Sequence, residues 1–316
     1  SLFHIWPFTD HHLFSIEPAQ FMAALSKGRP LYDVPILRRY VEEDLALIDT
    51  VKPDVVVGDF RLSLAVSAEV AKVPYIALNN AYWCPYTIQK YPVPELPFVR
   101  IVGPRLAQAI FNVVRPVAFF AHTRPLNRVR REFGLQSLGG DLREIYTYAD
   151  HTLYADIPEF FQTADLPKKH HFIGPVIWSP DTPIPPWWAD VPEGKPIVYV
   201  TLGSSGKASL LPQIVDVLSG MEVTALVSTA GASVQLNPSN NVFVTDFLPG
   251  DVSAALAALV ICNGGTPTTH QAIAAGVPVL GIARNLDQYL NMQALEKASV
   301  GVLLRSDRLS TDRLRQ

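Results

Sequence analysis

Residues 260–282 read VICNGGTPTTHQAIAAGVPVLGI, with two glycines and three threonines between an apolar run and a helix-like segment. Val260 to Cys262 reads as the end of a buried strand, Gly264 and Gly265 as a turn, and Thr266 to Ala275 as a helix closed by Gly276. Val277 to Ile282 is then the next strand. A loop of this kind, leaving a parallel strand and opening a helix, presents unpaired N–H groups and a positive dipole end to an anion. The same glycines also suit a tight strand-to-helix connection that holds no ligand, so the rest of the chain has to decide.

With 316 residues, 48% hydrophobic and 17% charged, the chain has enough apolar material for one large or two ordinary cores, and disorder is disfavoured. A formal charge of −3 argues against a nucleic-acid partner held mainly by phosphate neutralisation. Cys84 and Cys262 are the only cysteines and lie far apart, which predicts buried thiols in a reducing, cytoplasmic setting rather than a disulfide. No apolar run reaches the roughly 20 residues that span a bilayer. The opening SLFHIWPFTDHH lacks the basic start and apolar core of a signal peptide.

Strands and helices alternate along the first half: PDVVVGD at 53–59, the helix LSLAVSAEVAK, and PYIALNN at 74–80. A helix over 34–50 precedes them; a helical stretch from about 103 to 133, a helix near 141–148 and the strand HTLYA at 151–155 follow. The proline-rich GPVIWSPDTPIPPWW at 174–188 then breaks every pattern, which divides the chain into domains 1–180 and 181–316. The second half runs through PIVYVTLGSSG, a helix over 207–219, VTALVST, NVFVTDFLPG and a short helix to the opening unit. Strands rich in Val, Ile and Leu without polar alternation belong to parallel sheets covered on both faces. The expectation is an α/β protein of two Rossmann-like, doubly wound domains facing a cleft, with LGSSG and CNGGTPTT both at strand carboxyl ends.

Four ordered motifs carry a family resemblance: VYVTLGSSG at 198–206, DFLPG at 246–250, NGGTPTTHQAIAAGVP at 263–278 and NLDQYLN at 285–291. Together they resemble the nucleotide-sugar domain of GT-B fold glycosyltransferases of the UDP-glycosyltransferase kind; KPDVVVGDF and VPYIALNNAYW extend the likeness into the first half. The resemblance implies that Gly203, Ser204 and Ser205 meet the diphosphate, Phe247 stacks the base, and the Leu248 backbone reads its edge. It implies phosphate contacts for Asn263, Gly264, Gly265, Thr266 and Thr268, ribose contacts for Gln271, and a grip on the transferred sugar by Asp287 and Gln288. It further implies an inverting, metal-independent transfer from a UDP- or dTDP-sugar, used as co-substrate without any cofactor, to a hydroxyl of a lipophilic acceptor. Tyr82, Trp83, Tyr86, Phe119 and Phe120 are the aromatic candidates for the acceptor's surroundings.

Several positions depart from the family pattern. Asn263 stands where many members have a histidine, Pro267 replaces a common glycine, Gln271 a glutamate and Gly250 a frequent glutamine. The related peptidoglycan-precursor N-acetylglucosaminyltransferase also lacks glycine at the Pro267 position. Asp59 matches the aspartate that holds the family's catalytic histidine, but nothing before it matches that histidine or the first strand. The chain therefore reads as lacking residues at both ends. These departures support a second reading, a sugar-nucleotide-binding partner with impaired catalysis. A nucleotide-sugar epimerase is a third, but it needs carboxylates beyond Asp287 to move a carbon-bound proton.

Other conspicuous residues read more plainly. His4, His11 and His12 lack the carboxylate or cysteine spacing of a metal site, and no metal is expected. Asp287 has a rival role as a helix N-cap, His170 and His171 read as surface or hinge residues, and Trp187 with Trp188 either lines the cleft or buries a linker. Ser204 sits in no G-x-S-x-G elbow. The arginine-studded stretch 104–134 has two readings: peripheral contact with a membrane, or an ordinary amphipathic pair with its arginines in water, the simpler of the two.

Overall fold

The computed structural model describes residues 9–16, 24, 29–237 and 239–315; His4 lies outside them. By contacts the chain forms two compact units, one from Ser1–Asn79 with Pro116–Leu153 and the other from Asn80–Arg115 with Tyr154–Gln316. This division follows packing, whereas the sequence division at 180 follows composition.

In the first unit α1 (Val34–Val51) starts where the Asp33 side chain accepts from the Ile36 N–H at 2.9 Å, and it ends at a left-handed Lys52. Leu37, Tyr40, Val41, Asp44 and Ile48, which fall at i, i+3, i+4, i+7 and i+11, are its buried face. Strand β1 (Val56–Asp59), α2 (Leu64–Ala71) and β2 (Tyr75–Asn79) make a βαβ unit with β1 and β2 parallel; β3 (His151–Tyr154) lies on the other side of β2. Helix α3 (Pro97–Val102) leads into the long α4 (Pro104–Glu132), whose carboxyl-terminal part belongs to this unit, as does α5 (Leu142–Tyr146). Arg130 is buried and anchors that end: it pairs with Glu69 at 2.8 Å, donates to the Gln136 carbonyl at 2.7 Å and also reaches the Ala65 carbonyl.

The second unit holds β4 (His170–Phe172) and a six-stranded sheet of β5 (Ile197–Thr201), β6 (Thr224–Ser228), β7 (Val242–Thr245), β8 (Leu259–Cys262), β9 (Val279–Ala283) and β10 (Gly301–Arg305). Its order is β10-β9-β8-β5-β6-β7 and every pairing is parallel. Side-chain alternation splits the core. Val198, Val200 and Ile261 pack with α6 (Leu211–Ser219) on one face, together with Leu314 of α10 (Thr311–Arg315). Tyr199, Val260 and Cys262 pack on the other with α7 (Gly250–Leu256), α8 (Thr266–Ala274) and α9 (Leu286–Lys297). The sheet is thus doubly wound, as its unalternating Val, Ile and Leu runs predict.

The proline segment ends in Trp187 and Trp188, stacked at 5.9 Å, with Trp187 also 5.4 Å from Phe243 against the core. Of the two roles read for the pair, linker burial is the one built here. Cys84 and Cys262 are buried free thiols, and burial pushes the Cys262 pKa up to about 12, so it is no nucleophile.

His170 corrects the surface reading. It is buried, with Nδ1 2.8 Å from the Tyr154 hydroxyl, because β4 turns it inward while His171 stays in water. Burial, then the charges of Lys169 and His171, lowers its pKa from 6.5 to about 4. Between those values the unfolded chain binds the extra proton, so stability is full above 6.5 and falls as pH drops toward 4. Urea unfolding across that window is expected to show this loss in the parent and a flatter profile in His170→Gln. Equal slopes in the two proteins would remove His170 as the cause.

Candidate functional site

Strand order reverses between β5 and β8, and in open parallel sheets that switch point is where a crevice forms beyond the strand ends. The loops leaving β5 and β8 are Leu202–Gly206 and Asn263–Gly265, the two glycine loops of the sequence. The Ser205 hydroxyl joins them. It accepts from Asn263 Nδ2 at 3.1 Å and from Gln288 Nε2 at 3.3 Å, which leaves its own O–H to donate elsewhere.

Asn263 is nearly used up by this scaffold, since its Oδ1 also accepts from the Gly265 N–H at 2.9 Å. Gly264 carries φ +81, and its carbonyl accepts from the buried Asn291 at 2.9 Å. Gly265 precedes α8, and no side chain caps that first turn. The N–H groups of Thr266 and Thr268 therefore point outward without an intrahelical acceptor, while Pro267 has none to offer. Ser204 is exposed at the tip of the β5 loop, beside Gly203 at φ +56.

The loop after β7 places Phe247 on the surface, 58% exposed, with Leu248 buried beneath it. Gly231, in the loop after β6, lies so close that a Cβ there would sit 3.3 Å from the Phe247 ring. Thr229 Oγ1 donates to Asp246 at 2.8 Å and ties the two loops together.

Gln271 and Gly250 explain each other. A Cβ at 250 would come within 2.5 Å of Gln271 Oε1, so the missing side chain at one position makes room for the amide at the other. Gln271 Nε2 donates to the Trp178 carbonyl at 2.9 Å, and the Gly250 N–H donates to Ser179 Oγ at 3.1 Å. The proline segment is thereby stitched along this edge.

The alternative reading of Asp287 as helix cap is corrected by the structure. Asn285 caps α9, accepting from the Gln288 N–H at 3.0 Å, and Gln288 Oε1 completes the capping box by accepting from Asn285 N–H at 3.4 Å and Arg284 N–H at 3.0 Å. Asp287 instead accepts at Oδ1 from Trp83 Nε1 at 2.8 Å. Burial raises its pKa, and the Trp83 hydrogen bond works against that rise. Gln288 is buried and engaged at both ends of its amide. Trp83 is the residue that sequence reasoning placed among acceptor aromatics; its indole N–H is spent on a carboxylate 204 positions away, and no local signal marks that partner.

Asp59 lies in the first unit at the end of β1, exposed, with its pKa raised by partial burial. Of the acceptor aromatics, Tyr82 and Trp83 are buried, Tyr86 and Phe119 partly so, and Phe120 is exposed. Among the described residues no group of three or more His, Cys, Asp or Glu is arranged to hold a metal.

Comparison with known proteins agrees with this architecture. Residues 208–316 match the family of the erythromycin biosynthesis protein CIII-like C-terminal domain. A PGL/p-HBAD biosynthesis rhamnosyltransferase of Mycobacterium bovis is 48% identical over 98% of this chain and 68% of its own length. A PGL/p-HBAD biosynthesis glycosyltransferase of Mycobacterium tuberculosis is 47% identical over 97% of this chain and 72% of its own. An inactive PGL/p-HBAD biosynthesis glycosyltransferase of Mycobacterium bovis is 43% identical over 67% of this chain and 58% of its own. The solved spinosyn forosaminyltransferase SpnP shares the fold, with a TM-score of 0.62 at 17% identity over 87% of this chain and 68% of its own. The chain therefore belongs to the GT-B fold glycosyltransferases of the EryCIII-like type.

Proposed function

We propose that the chain transfers a sugar from a nucleoside diphosphate sugar, UDP- or dTDP-linked, to a hydroxyl of a lipophilic acceptor with inversion at the anomeric carbon. The observation that carries this reading is the Ser205 hydroxyl, held by Asn263 and Gln288 where three strand-end loops converge, with its proton left for an anion. Ser205, Ser204, the Gly203 loop and the N–H groups of Thr266 and Thr268 would receive the diphosphate as hydrogen-bond donors, while the Gly264 N–H is spent on Cys262 Sγ at 3.2 Å. Phe247 would stack the base and the buried Leu248 support its edge; Gln271 would meet the ribose with its free carbonyl oxygen. Asp287, with one oxygen held by Trp83, would offer the other to hydroxyls of the sugar. Gln288 would then act mainly by holding Ser205, with one N–H to spare.

In the transfer the acceptor oxygen bonds to the anomeric carbon as the bond to the diphosphate breaks, and the acceptor's proton passes to a base. Asp59 would orient that base. The diphosphate leaves with its charge held by hydroxyl and N–H donors, so the reading needs no metal or other cofactor. We place donor binding in residues 181–316, acceptor binding in 1–180, and the protein in the cytoplasm, which the buried free thiols favour. Among the described residues no helix is long and apolar enough to cross a membrane.

Isothermal titration with UDP-, dTDP- and GDP-sugars tests the reading, and absence of binding to all three would end it. Gln271→Leu is expected to weaken the sugar donor and the bare nucleoside diphosphate alike, by about 2- to 12-fold, as the loss of one neutral hydrogen bond to the ribose implies. Unchanged affinity for both would take Gln271 out of the nucleotide site. A binding protein with impaired transfer is the second reading, favoured by Asn263 in place of a proton-offering histidine. It predicts donor binding with neither transfer to an acceptor nor hydrolysis.

A further inference from the structure

Helix α4 carries a line of large apolar side chains in water. Leu106, Ile110, Val113, Val114, Val117 and Phe120 are all exposed, Val113 at 78% and Val117 at 70%, and Ile101 on α3 reaches 85%. At about 100° per residue the six fall within about 120° of the helix circumference, one face of a single continuous element. Leu126 and Val129, on the far side of the helix, are buried, as is Ala107 at the margin of the exposed line.

The exposed line changes character along its length. Beyond Phe120 the same face continues through Arg124, Arg128 and Arg131, all exposed. Residues 97–131 contain seven arginines and neither Asp nor Glu. Arg130 turns inward to Glu69 and Arg115 lies over the Tyr91 ring; Arg100, Arg105, Arg124, Arg128 and Arg131 stay exposed. The nearest carboxylate on the helix, Glu132, approaches Arg128 at 3.5 Å and also pairs with Arg38 at 2.8 Å.

An apolar half followed by a basic half on one helix face, with Glu132 at its very end the one acidic residue of the helix, complements an anionic lipid surface. Apolar side chains gain by entering the boundary between headgroups and acyl chains, and arginines gain by lying on phosphates. We propose that α3 and α4 form a face by which the protein binds anionic membranes peripherally, with Ile101 and the line from Leu106 to Phe120 seated in the interface and Arg124, Arg128 and Arg131 on the headgroups. The inference stands independently of the donor site.

The test is co-sedimentation of the full chain with phosphatidylcholine vesicles and with vesicles one-third phosphatidylglycerol, each at low and high salt. Binding is expected to the anionic vesicles at low salt, weakened more than tenfold by high salt or by neutral lipid. Val113→Asp with Val117→Asp, and separately Arg124→Glu with Arg128→Glu, should lose it while thermal midpoint and nucleotide binding stay as in the parent. Failure to bind anionic vesicles, or equal binding to neutral ones, overturns the proposal. So does a Val113→Asp, Val117→Asp protein that still binds vesicles but sediments as a smaller species, because the face would then join two copies of the chain. Nucleotide titration of the same proteins reports on the donor site separately.

Discussion

Asp287→Asn is expected to weaken binding of the sugar donor by about 10- to 150-fold, while the bare nucleoside diphosphate binds within about twofold of the parent; the difference corresponds to one charge-assisted hydrogen bond of about 1.5–3 kcal/mol. The helix start does not confound the measurement, because Asn285 and Gln288 supply the capping box. Nor does the Trp83 contact, since an asparagine carbonyl still accepts from the indole N–H that Asp287 now receives at 2.8 Å. What the variant lacks is the charge on the remaining oxygen. Burial raises the Asp287 pKa, so the carboxylate is lost at a higher pH than an ordinary one, and donor affinity should fall on acidification before diphosphate affinity does. Trp83→Phe should reproduce part of the loss by releasing the carboxylate from its fixed orientation. Calorimetry with both ligands decides the matter: equal losses, or none, would remove Asp287 from the sugar site.

Gly264→Ala is expected to destabilise the protein by roughly 2–5 kcal/mol, with two separable causes. The backbone there has φ +81, a left-handed conformation that costs a residue with a Cβ about 1–2 kcal/mol. The new Cβ would also sit 2.6 Å from Met292 Cγ, and Met292 is fully buried between this loop and the sheet, so relief requires repacking at about 1–3 kcal/mol. Adding Met292→Ala should relieve the steric share but leave the backbone share, and it brings its own cavity cost, so the cycle of single and double variants is the informative experiment. Denaturant unfolding of the four proteins measures it. A Gly264→Ala protein within about 0.5 kcal/mol of the parent would show that the loop relaxes freely, and the tight β8 loop could not then be what holds the N–H groups of α8 in place.

Much of the fold was legible because its signals are local. Runs such as Ile197–Thr201 and Val279–Ala283 lack polar alternation, and glycine or proline punctuates them, so buried strands and their ends could be read directly. The two glycine loops at the ends of β5 and β8 were legible for the same reason. The cap of α9 was not assigned correctly, because Asp287 and Asn285 both suit the position and only backbone geometry separates them. His170 was misread because a histidine beside Lys169 and His171 carries no mark of the direction in which a three-residue strand turns it.

By itself the sequence determined the α/β class, the parallel strands, the glycine loops at strand ends and the family resemblance, all of which depend on residue type and spacing within a few tens of positions. Tertiary structure alone decided the reversal of strand order between β5 and β8, the meeting of Ser205 with Asn263 and Gln288, the fit of Gln271 into the space left by Gly250, and the pairing of Trp83 with Asp287. These join positions 21 to 204 residues apart. Hydrogen bonds and van der Waals contacts act only over a few ångströms, so which distant residues meet is set by the packing of strands and helices, and no periodicity in the chain encodes the pair.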